Sequence, residues 1–163
     1  MKKRVFCLLL ALLMALGVCF VACEEEEPET PAPSTQFVPP PFDANAVQGA
    51  PNIAEGENGY GVLDAKGVYK IGVCGEVKVV NGKADIWFTN PAENTVWLKL
   101  RVHDKTTGAI LGETGLIKPG EYVQSITFTK APAAGNEIVL RVMSYEPETY
   151  YSKGEISLNT VAS

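Results

Sequence analysis

The dipeptide Asn81-Gly82 lies between two apolar runs and constrains the fold more than any other feature of this chain. A two-residue type I′ turn requires positive φ at both central positions, a conformation that Asn and Gly tolerate well. Such a turn fixes the register of the flanking strands, so that Val79 faces Ala84 and Val77 faces Ile86. These four apolar side chains then share one side of the ribbon. The stretch therefore predicts a β-hairpin with one buried face.

Strand-like alternation continues from this hairpin towards the C-terminus. Apolar and polar residues alternate through Val96–His103, and Pro119-Gly120 supplies a tight turn into another alternating run at Tyr122–Phe128. No segment after Tyr69 shows the apolar spacing of a helix. Seven strands separated by short turns predict an all-β fold, an antiparallel seven-stranded β-sandwich at residues 66–163. In size and strand count it resembles the immunoglobulin-like and fibronectin-III class of bacterial surface domains, a resemblance of architecture that implies no particular activity.

The N-terminus has the pattern of an export signal. Lys2, Lys3 and Arg4 are followed by the uncharged run Val5–Ala22. A basic start and an apolar middle are typical of a secretory signal peptide, which we predict at residues 1–22. The apolar run also approaches the length of a membrane span, so an uncleaved anchor helix is the alternative.

The apolar run ends in Val21-Ala22-Cys23, which resembles the lipobox of bacterial lipoproteins. The resemblance implies that Cys23 receives a diacylglyceryl group and becomes the mature N-terminus, so that lipid holds the protein to the membrane. Two acyl chains are enough for stable anchoring, since each buried methylene contributes about 0.8 kcal/mol. An ordinary signal peptide with a chance cysteine is the alternative.

Residues 23–65 differ in composition from the rest of the chain. They hold nine acidic side chains and no Lys or Arg, and seven of the eleven prolines fall before Asn52. Such a segment buries too little apolar surface to offset the entropy of ordering it, so we predict a disordered acidic tether. An alternative interpretation of Phe37–Phe42 is a docking motif for a groove on another protein.

The charge distribution argues against nucleic acid as a partner. Residues 66–163 hold 11 basic and 10 acidic side chains, and neither they nor the tether form the basic stripe that phosphate contacts require. Catalytic and metal-binding motifs are also missing. His103 is the only histidine, Cys74 is the only cysteine after Cys23, and no calcium-loop pattern occurs. We therefore expect a protein that is not an enzyme and that uses no cofactor and no metal.

Two tryptophans supply the candidate ligand-binding residues. The hairpin register places Trp87 opposite Glu76, away from the buried side, and alternation around Leu98 places Trp97 on the polar side of its strand. Exposed aromatic rings on a sheet can stack on sugars or anchor a protein partner. The alternative is that an edge loop or the segment Asn52–Leu63 covers both rings. The predicted ligand-binding residues are Trp87, Trp97, Arg101 and Tyr122.

These features predict an extracytoplasmic, membrane-anchored lipoprotein that works by binding. The first hypothesis is an adhesion or assembly module of the cell envelope that recognises a protein or glycan partner. The second is an inhibitor or accessory subunit of an exported enzyme, to which it presents a loop at residues 129–136 or 147–154.

Overall fold

A computed structural model describes residues 37–163, and this part of the chain forms ten strands in two antiparallel sheets. The predicted all-β antiparallel sandwich is confirmed. One turn of 3-10 helix precedes the second strand, at Glu57–Gly59. In chain order the strands are β1 (Val47–Gln48), β2 (Tyr60–Ala65), β3 (Tyr69–Cys74), β4 (Val79–Val80), β5 (Lys83–Asn90), β6 (Trp97–Asp104), β7 (Ile110–Glu113), β8 (Glu121–Thr127), β9 (Glu137–Tyr145) and β10 (Ser152–Val161).

The strands divide unequally between the two sheets. The larger sheet has six strands in the order β1-β8-β5-β3-β2, with the short β4 paired to β5. The smaller sheet has four strands in the order β10-β9-β6-β7. The sequence predicted seven strands after residue 66, whereas the structure adds β1 and β2 before that point and divides the first predicted strand into β3 and β4. The chain passes from one sheet to the other three times, after β5, after β7 and after β8.

The core lies between the sheets and is built from the alternating apolar residues. In β6, Leu98, Leu100 and Val102 are fully buried, and the residues between them point away from the core because a strand has a period of two. In the larger sheet, β5 contributes Ile86 and Phe88, which are also fully buried. Burying each such side chain stabilises the fold by about 1.5–3 kcal/mol relative to leaving it exposed.

The turn at the first hairpin forms as predicted. The φ angle is 51° at Asn81 and 74° at Gly82, as a type I′ turn requires. Val79 pairs with Ala84, which confirms the predicted register next to the turn.

The hairpin is shorter than the sequence predicts. The predicted pairing of Val77 with Ile86 is wrong, because the chain before β4 turns away and pairs with the C-terminal residues. Val77 forms a parallel bridge with Ala162, and Ser163 N donates a hydrogen bond to Val77 O at 3.0 Å. Val77 and Ile86 are nevertheless both fully buried, so the predicted burial of this side is retained.

The predicted boundary between tether and domain, at residue 65, is wrong. The compact unit comprises residues 38–163. Within it, β2 pairs along its whole length with β3, and both Tyr60 and Ala65 are buried. The predicted signal peptide, Cys23 and the first part of the predicted tether fall in residues 1–36, which lie outside the described residues.

Residues 41–48 bind to the rest of the domain through backbone hydrogen bonds. Asp43 N donates to Leu116 O, and Leu116 N donates to Pro41 O, both at 2.9 Å. A little further along, β1 pairs with β8. Gly115 permits this contact, since a Cβ at that position would collide with the backbone of Asp43. This stretch is therefore part of the folded domain and not a tether.

Candidate binding faces

The predicted ligand-binding residues lie on two different faces. Trp87 of β5 and Tyr122 of β8 belong to the six-stranded sheet, whereas Trp97 and Arg101, both of β6, belong to the four-stranded sheet. None of the four is a core residue; each pair lies on the outer face of its own sheet. The four predicted residues therefore do not form one shared face. Strands that are consecutive in sequence are often neighbours in a sheet, but β5 and β6 are not.

Trp97 is half-buried among other aromatic rings. The centroid of the Phe42 ring lies 4.8 Å from that of Trp97 at an interplanar angle of 75°, and Tyr150 contacts Trp97 at 5.3 Å and 63°. Lys118 Nζ lies 4.7 Å from the centroid of the Phe42 ring, over its face. The alternative that Trp97 is covered agrees with these contacts, but the cover comes from Phe42 and Tyr150 and not from residues 52–63.

Arg101 takes part in an ion-pair cluster on the outer face of the four-stranded sheet. Its Nε donates to Glu113 Oε2 at 2.7 Å, and Lys99 Nζ lies 3.0 Å from Glu113 Oε1. Lys99 points away from the core, yet only 4% of its surface is exposed. Burial by itself would raise the pKa of the Glu113 carboxyl, but the hydrogen bonds from Arg101 and Lys99 outweigh it and lower that pKa. Glu113 is therefore held as a carboxylate.

The outer face of the six-stranded sheet carries a continuous row of residues across five strands. Gly72 of β3 belongs to this row and has no side chain, which leaves room for the ring of Tyr60. A Cβ at Gly72 would lie 2.5 Å from the Tyr60 hydroxyl. Tyr60 Oη donates to Thr89 Oγ1 at 3.2 Å, so the ring spans from β2 across β3 to β5. In register order the row is Val47, Tyr122, Thr89, Gly72 and Val62.

Trp87 reaches this same outer face through a β-bulge. The pairing of β5 with β8 shifts between Asp85 and Phe88, and Trp87 between them has a φ of 46°. A bulky residue with positive φ is uncommon, and β-bulges often redirect a side chain near a functional site. The Trp87 ring stacks on Tyr122, with centroids 5.7 Å apart and planes at 27°. The bulge, and not the predicted hairpin pairing with Glu76, sets the direction of the Trp87 side chain.

A cleft of about 430 Å³ opens beside Tyr60 on this face. Two segments line it, residues 48–51 from the last residue of β1 and residues 90–93 from the last residue of β5, together with Val62 of β2. Most of these residues are small and apolar, and Gln48 and Glu93 add polar side chains. The volume falls in the range of roughly 300–1,000 Å³ that is usual for small-ligand sites. The sequence did not indicate this site, because the composition of residues 23–65 predicts a tether where Tyr60 and residues 48–51 form part of the cleft.

Buried Asn90 holds one wall of the cleft in place. Its Nδ2 donates to Val96 O at 2.9 Å and to Ile117 O at 3.1 Å, while its Oδ1 accepts from Asn94 Nδ2 at 2.7 Å. A buried amide whose hydrogen bonds are satisfied in this way rigidifies the backbone around it. The wall at residues 90–93 is therefore formed before any ligand arrives.

Cys74 and His103 are the two residues whose side chains could take part in nucleophilic catalysis or metal binding. Cys74 is fully buried, and burial together with nearby carboxylates, Asp85 first among them, raises the pKa of its thiol to about 11. The thiolate that nucleophilic chemistry needs is therefore scarce at neutral pH. His103 Nδ1 lies 3.0 Å from Gly108 O, at the end of the β6–β7 turn. Within residues 37–163, no three His, Cys, Asp or Glu side chains come together as metal ligands would.

Comparison with protein-family models, with curated proteins and with solved structures found no match for this chain. Across residues 37–163, no helix has the length and apolar character needed to cross a membrane. The class that the fold defines is an antiparallel β-sandwich of two sheets, with an aromatic outer face and a cleft on the larger sheet.

Proposed function

We propose that this protein is a lipid-anchored binding module of the cell envelope, and that it recognises a glycan on the outer face of its six-stranded sheet. The observation that carries the proposal is the cleft beside Tyr60, on the same face as the stacked rings of Trp87 and Tyr122. A small-ligand site is typically concave and mostly apolar, with a few fixed polar groups that orient the ligand. The cleft has each of these properties.

The chemistry of the cleft favours a saccharide over a protein partner. A sugar ring packs its C–H face on aromatic and apolar groups while its hydroxyls bond to polar groups at the rim. Tyr60 and Val62 supply apolar surface here, and Gln48 and Glu93 supply polar groups. Twelve residues line the cleft. A standard protein–protein interface uses roughly 20–30 residues on each side, so a short saccharide is the better match.

The proposed anchor is a diacylglyceryl group on Cys23, in the part of the chain outside the described residues. It is supported by the basic start, the apolar run and the sequence Val21-Ala22-Cys23. The acidic block Glu24–Glu27 that follows would be repelled by anionic headgroups and would hold the chain off the membrane surface. An anchor of this kind leaves the domain on the extracytoplasmic side, within reach of envelope glycans.

We expect Cys23→Ala to abolish incorporation of a labelled fatty acid and to move the protein from the membrane fraction to the soluble fraction. The reason is that the Cys23 sulfur is the proposed point of attachment. Metabolic labelling followed by fractionation measures both effects. Cys19→Ala is the matched control and should keep the label, since Cys19 follows the bulkier Val18. Full labelling of the Cys23 variant would show that the anchor lies elsewhere.

For the cleft, we expect Val62→Glu to lower the affinity for the glycan selected on an array by about tenfold or more, because it buries an unpaired carboxylate against the ligand. Val80→Glu is the matched control. Val80 is a strand residue with 65% of its surface exposed, against 55% for Val62, and it lies outside the cleft. Titration of the full chain and both variants measures the affinities. Equal affinities in all three proteins, or no glycan bound at all, would remove the cleft from the proposal.

A second candidate function, an inhibitor or accessory subunit of an exported enzyme, draws on the loop between β9 and β10. Tyr151 in this loop has 72% of its surface exposed, and Glu148 has a φ of 70°. An exposed aromatic on a strained loop is a suitable anchor for a protein partner. A photo-crosslinking residue at position 151 would separate the two functions, since the glycan proposal predicts no specific protein adduct there.

A further inference from the structure

Three cationic side chains lie together on the outer face of the four-stranded sheet. Lys99 and Arg101 project outward from β6, and Arg141 projects outward from the neighbouring β9. The register pairs Arg101 directly with Arg141. Side chains at directly paired positions lie close together, and like charges there destabilise a sheet. The placement of two arginines side by side therefore needs a compensating negative charge.

The nearby carboxylates supply only part of that charge. Glu113 is shared, since it contacts both Lys99 and Arg101 at hydrogen-bond distance. Glu155 Oε1 lies 3.9 Å from Arg141 Nε, which is too far for a hydrogen bond. Arg141 Nε is shielded from solvent, and no acceptor within the described part of the chain bonds to it. Three cations thus share two carboxylates, and the Arg141 side chain, which is 41% exposed, has no carboxylate at hydrogen-bond distance from its Nε.

We propose that this face, centred on Arg101 and Arg141, binds the oxyanion groups of an acidic polysaccharide. The guanidinium group presents its donors as a planar fork that suits the two oxygens of a carboxylate or a sulfate. The site is distinct from the cleft of the proposed function, because it lies on the opposite sheet. It gives the domain a second binding surface with a different chemical preference.

The surroundings of the two arginines fit a polymer with widely spaced charges. Glu113 and Glu155 would repel a dense anionic surface such as a bilayer or a nucleic-acid backbone, but they leave room for single anionic groups. Ser157 of β10 pairs with Arg141 and is exposed, so it can bond to a sugar hydroxyl. Trp97 lies four residues before Arg101 on the same face of β6, about 13 Å along the strand. The part of its ring that Phe42 and Tyr150 leave open is within reach of a neighbouring sugar unit.

The test uses the full chain and measures its binding to hyaluronate, which has one carboxylate per disaccharide, to sparsely sulfated dextran and to neutral dextran at low and moderate salt. We expect the two acidic polymers to bind and neutral dextran not to bind. Arg141→Gln should weaken binding about tenfold, as expected for the loss of one charge-assisted hydrogen bond. Lys105→Gln removes the same charge from a side chain that is 42% exposed, close to the 41% of Arg141, and should change affinity less than twofold. Arg141→Lys keeps the charge, and its affinity should lie between the affinities of Arg141→Gln and Lys105→Gln.

Folding and binding can be separated in the same variants. Arg141→Gln removes a like-charge neighbour of Arg101, so its thermal midpoint without polymer should equal or exceed that of the unmodified chain. Binding of either acidic polymer, with the expected loss of affinity in Arg141→Gln, supports the proposal. The polymer that binds more tightly shows whether carboxylate or sulfate is the preferred group. Equal losses in Arg141→Gln and Lys105→Gln would overturn it, as would binding to vesicles containing phosphatidylglycerol but to neither polymer. Val62→Glu should leave polymer binding unchanged, which keeps this test independent of the cleft.

Discussion

Removal of residues 1–65 is expected to abolish the cooperative unfolding transition, whereas a fragment of residues 38–163 is expected to melt as a single unit. The shorter fragment lacks β1, β2 and the backbone bonds of residues 41–43 to Leu116. Without Tyr60 the outer face of β3 at Gly72 has no cover, and Thr89 Oγ1 no longer accepts the hydrogen bond from Tyr60 Oη, although it still donates to Trp87 O. The hydrogen-bonding edge of β3 that β2 occupies would also be left open.

The magnitude of this effect follows from the small net stability of a domain. Truncating one buried aromatic side chain costs about 3–5 kcal/mol, and a whole domain is stable by only about 5–15 kcal/mol. Loss of Tyr60 together with a six-residue strand ladder is therefore enough to unfold the remainder. Urea titration followed by tryptophan fluorescence measures the transition in the full chain and in both fragments.

An intermediate fragment, residues 52–163, separates the two N-terminal contributions. It keeps β2 but lacks β1 and residues 41–43, so it should unfold cooperatively at a lower urea concentration than residues 38–163. A cooperative transition of residues 66–163 at the midpoint of the full chain would show instead that the N-terminal strands add nothing to the core.

Alternation predicted the strands that have one buried face. β6 is the clearest case, because Leu98, Leu100 and Val102 face the core and charged or aromatic residues separate them. The turn at Asn81-Gly82 was predictable for a different reason, since its backbone conformation is local and depends on those two residues alone. Both signals lie within a short stretch of chain, and neither needs knowledge of a distant partner.

The strands that escaped prediction depend on partners far away in sequence. β2 has four apolar residues out of six, but they do not alternate, and its order comes from pairing with β3 and from the space that Gly72 leaves for Tyr60. Residues 41–43 depend in the same way on Gly115. A short edge strand whose apolar residues do not alternate gives a weak periodic signal, and the acidic, proline-rich composition of residues 23–65 as a whole indicated disorder.

For the candidate site, the sequence predicted the direction of single side chains but not which of them lie on the same face. The outward direction of Trp97 and Arg101 followed from alternation, but a period of two indicates which side of a strand is buried and not which sheet the strand joins. The assignment of β5 and β6 to different sheets separated the predicted residues into two faces. The bulge at Trp87 is likewise set by the pairing of β5 with β8 and left no mark in the hairpin pattern.

Glu113→Gln is expected to destabilise the domain by about 3 kcal/mol, near the lower end for breaking a buried ion pair, since Glu113 itself is partly exposed. Its partner Lys99 has only 6% of its side chain exposed and would be left as a buried cation without a carboxylate. Glu137→Gln is the matched control. Its partner Lys105 is 42% exposed, and breaking such an exposed pair costs about 1 kcal/mol or less. Urea unfolding at neutral pH measures both variants.

The pH dependence of the same pair gives an independent check. The pKa of Glu113 is lower in the folded protein than its ordinary value of 4.5, so the unfolded chain takes up this proton first as the pH falls. The stabilising contribution of Glu113 is therefore complete above pH 4.5 and is lost as the pH falls through the folded-state pKa. The stability difference between the unmodified chain and Glu113→Gln should narrow over that acidic range and stay constant near neutrality.

A double variant decides whether the cost comes from the stranded cation. Lys99→Met combined with Glu113→Gln removes the buried charge together with its partner and replaces the lysine by an apolar chain of similar length. We expect this double variant to be more stable than Glu113→Gln alone, because an apolar side chain at the site of Lys99 needs no partner. If the double variant is as unstable as the single one, the loss must come from Arg101, the other partner of Glu113. In that case the buried position of Lys99 would not be the reason that this face of the sheet needs a carboxylate.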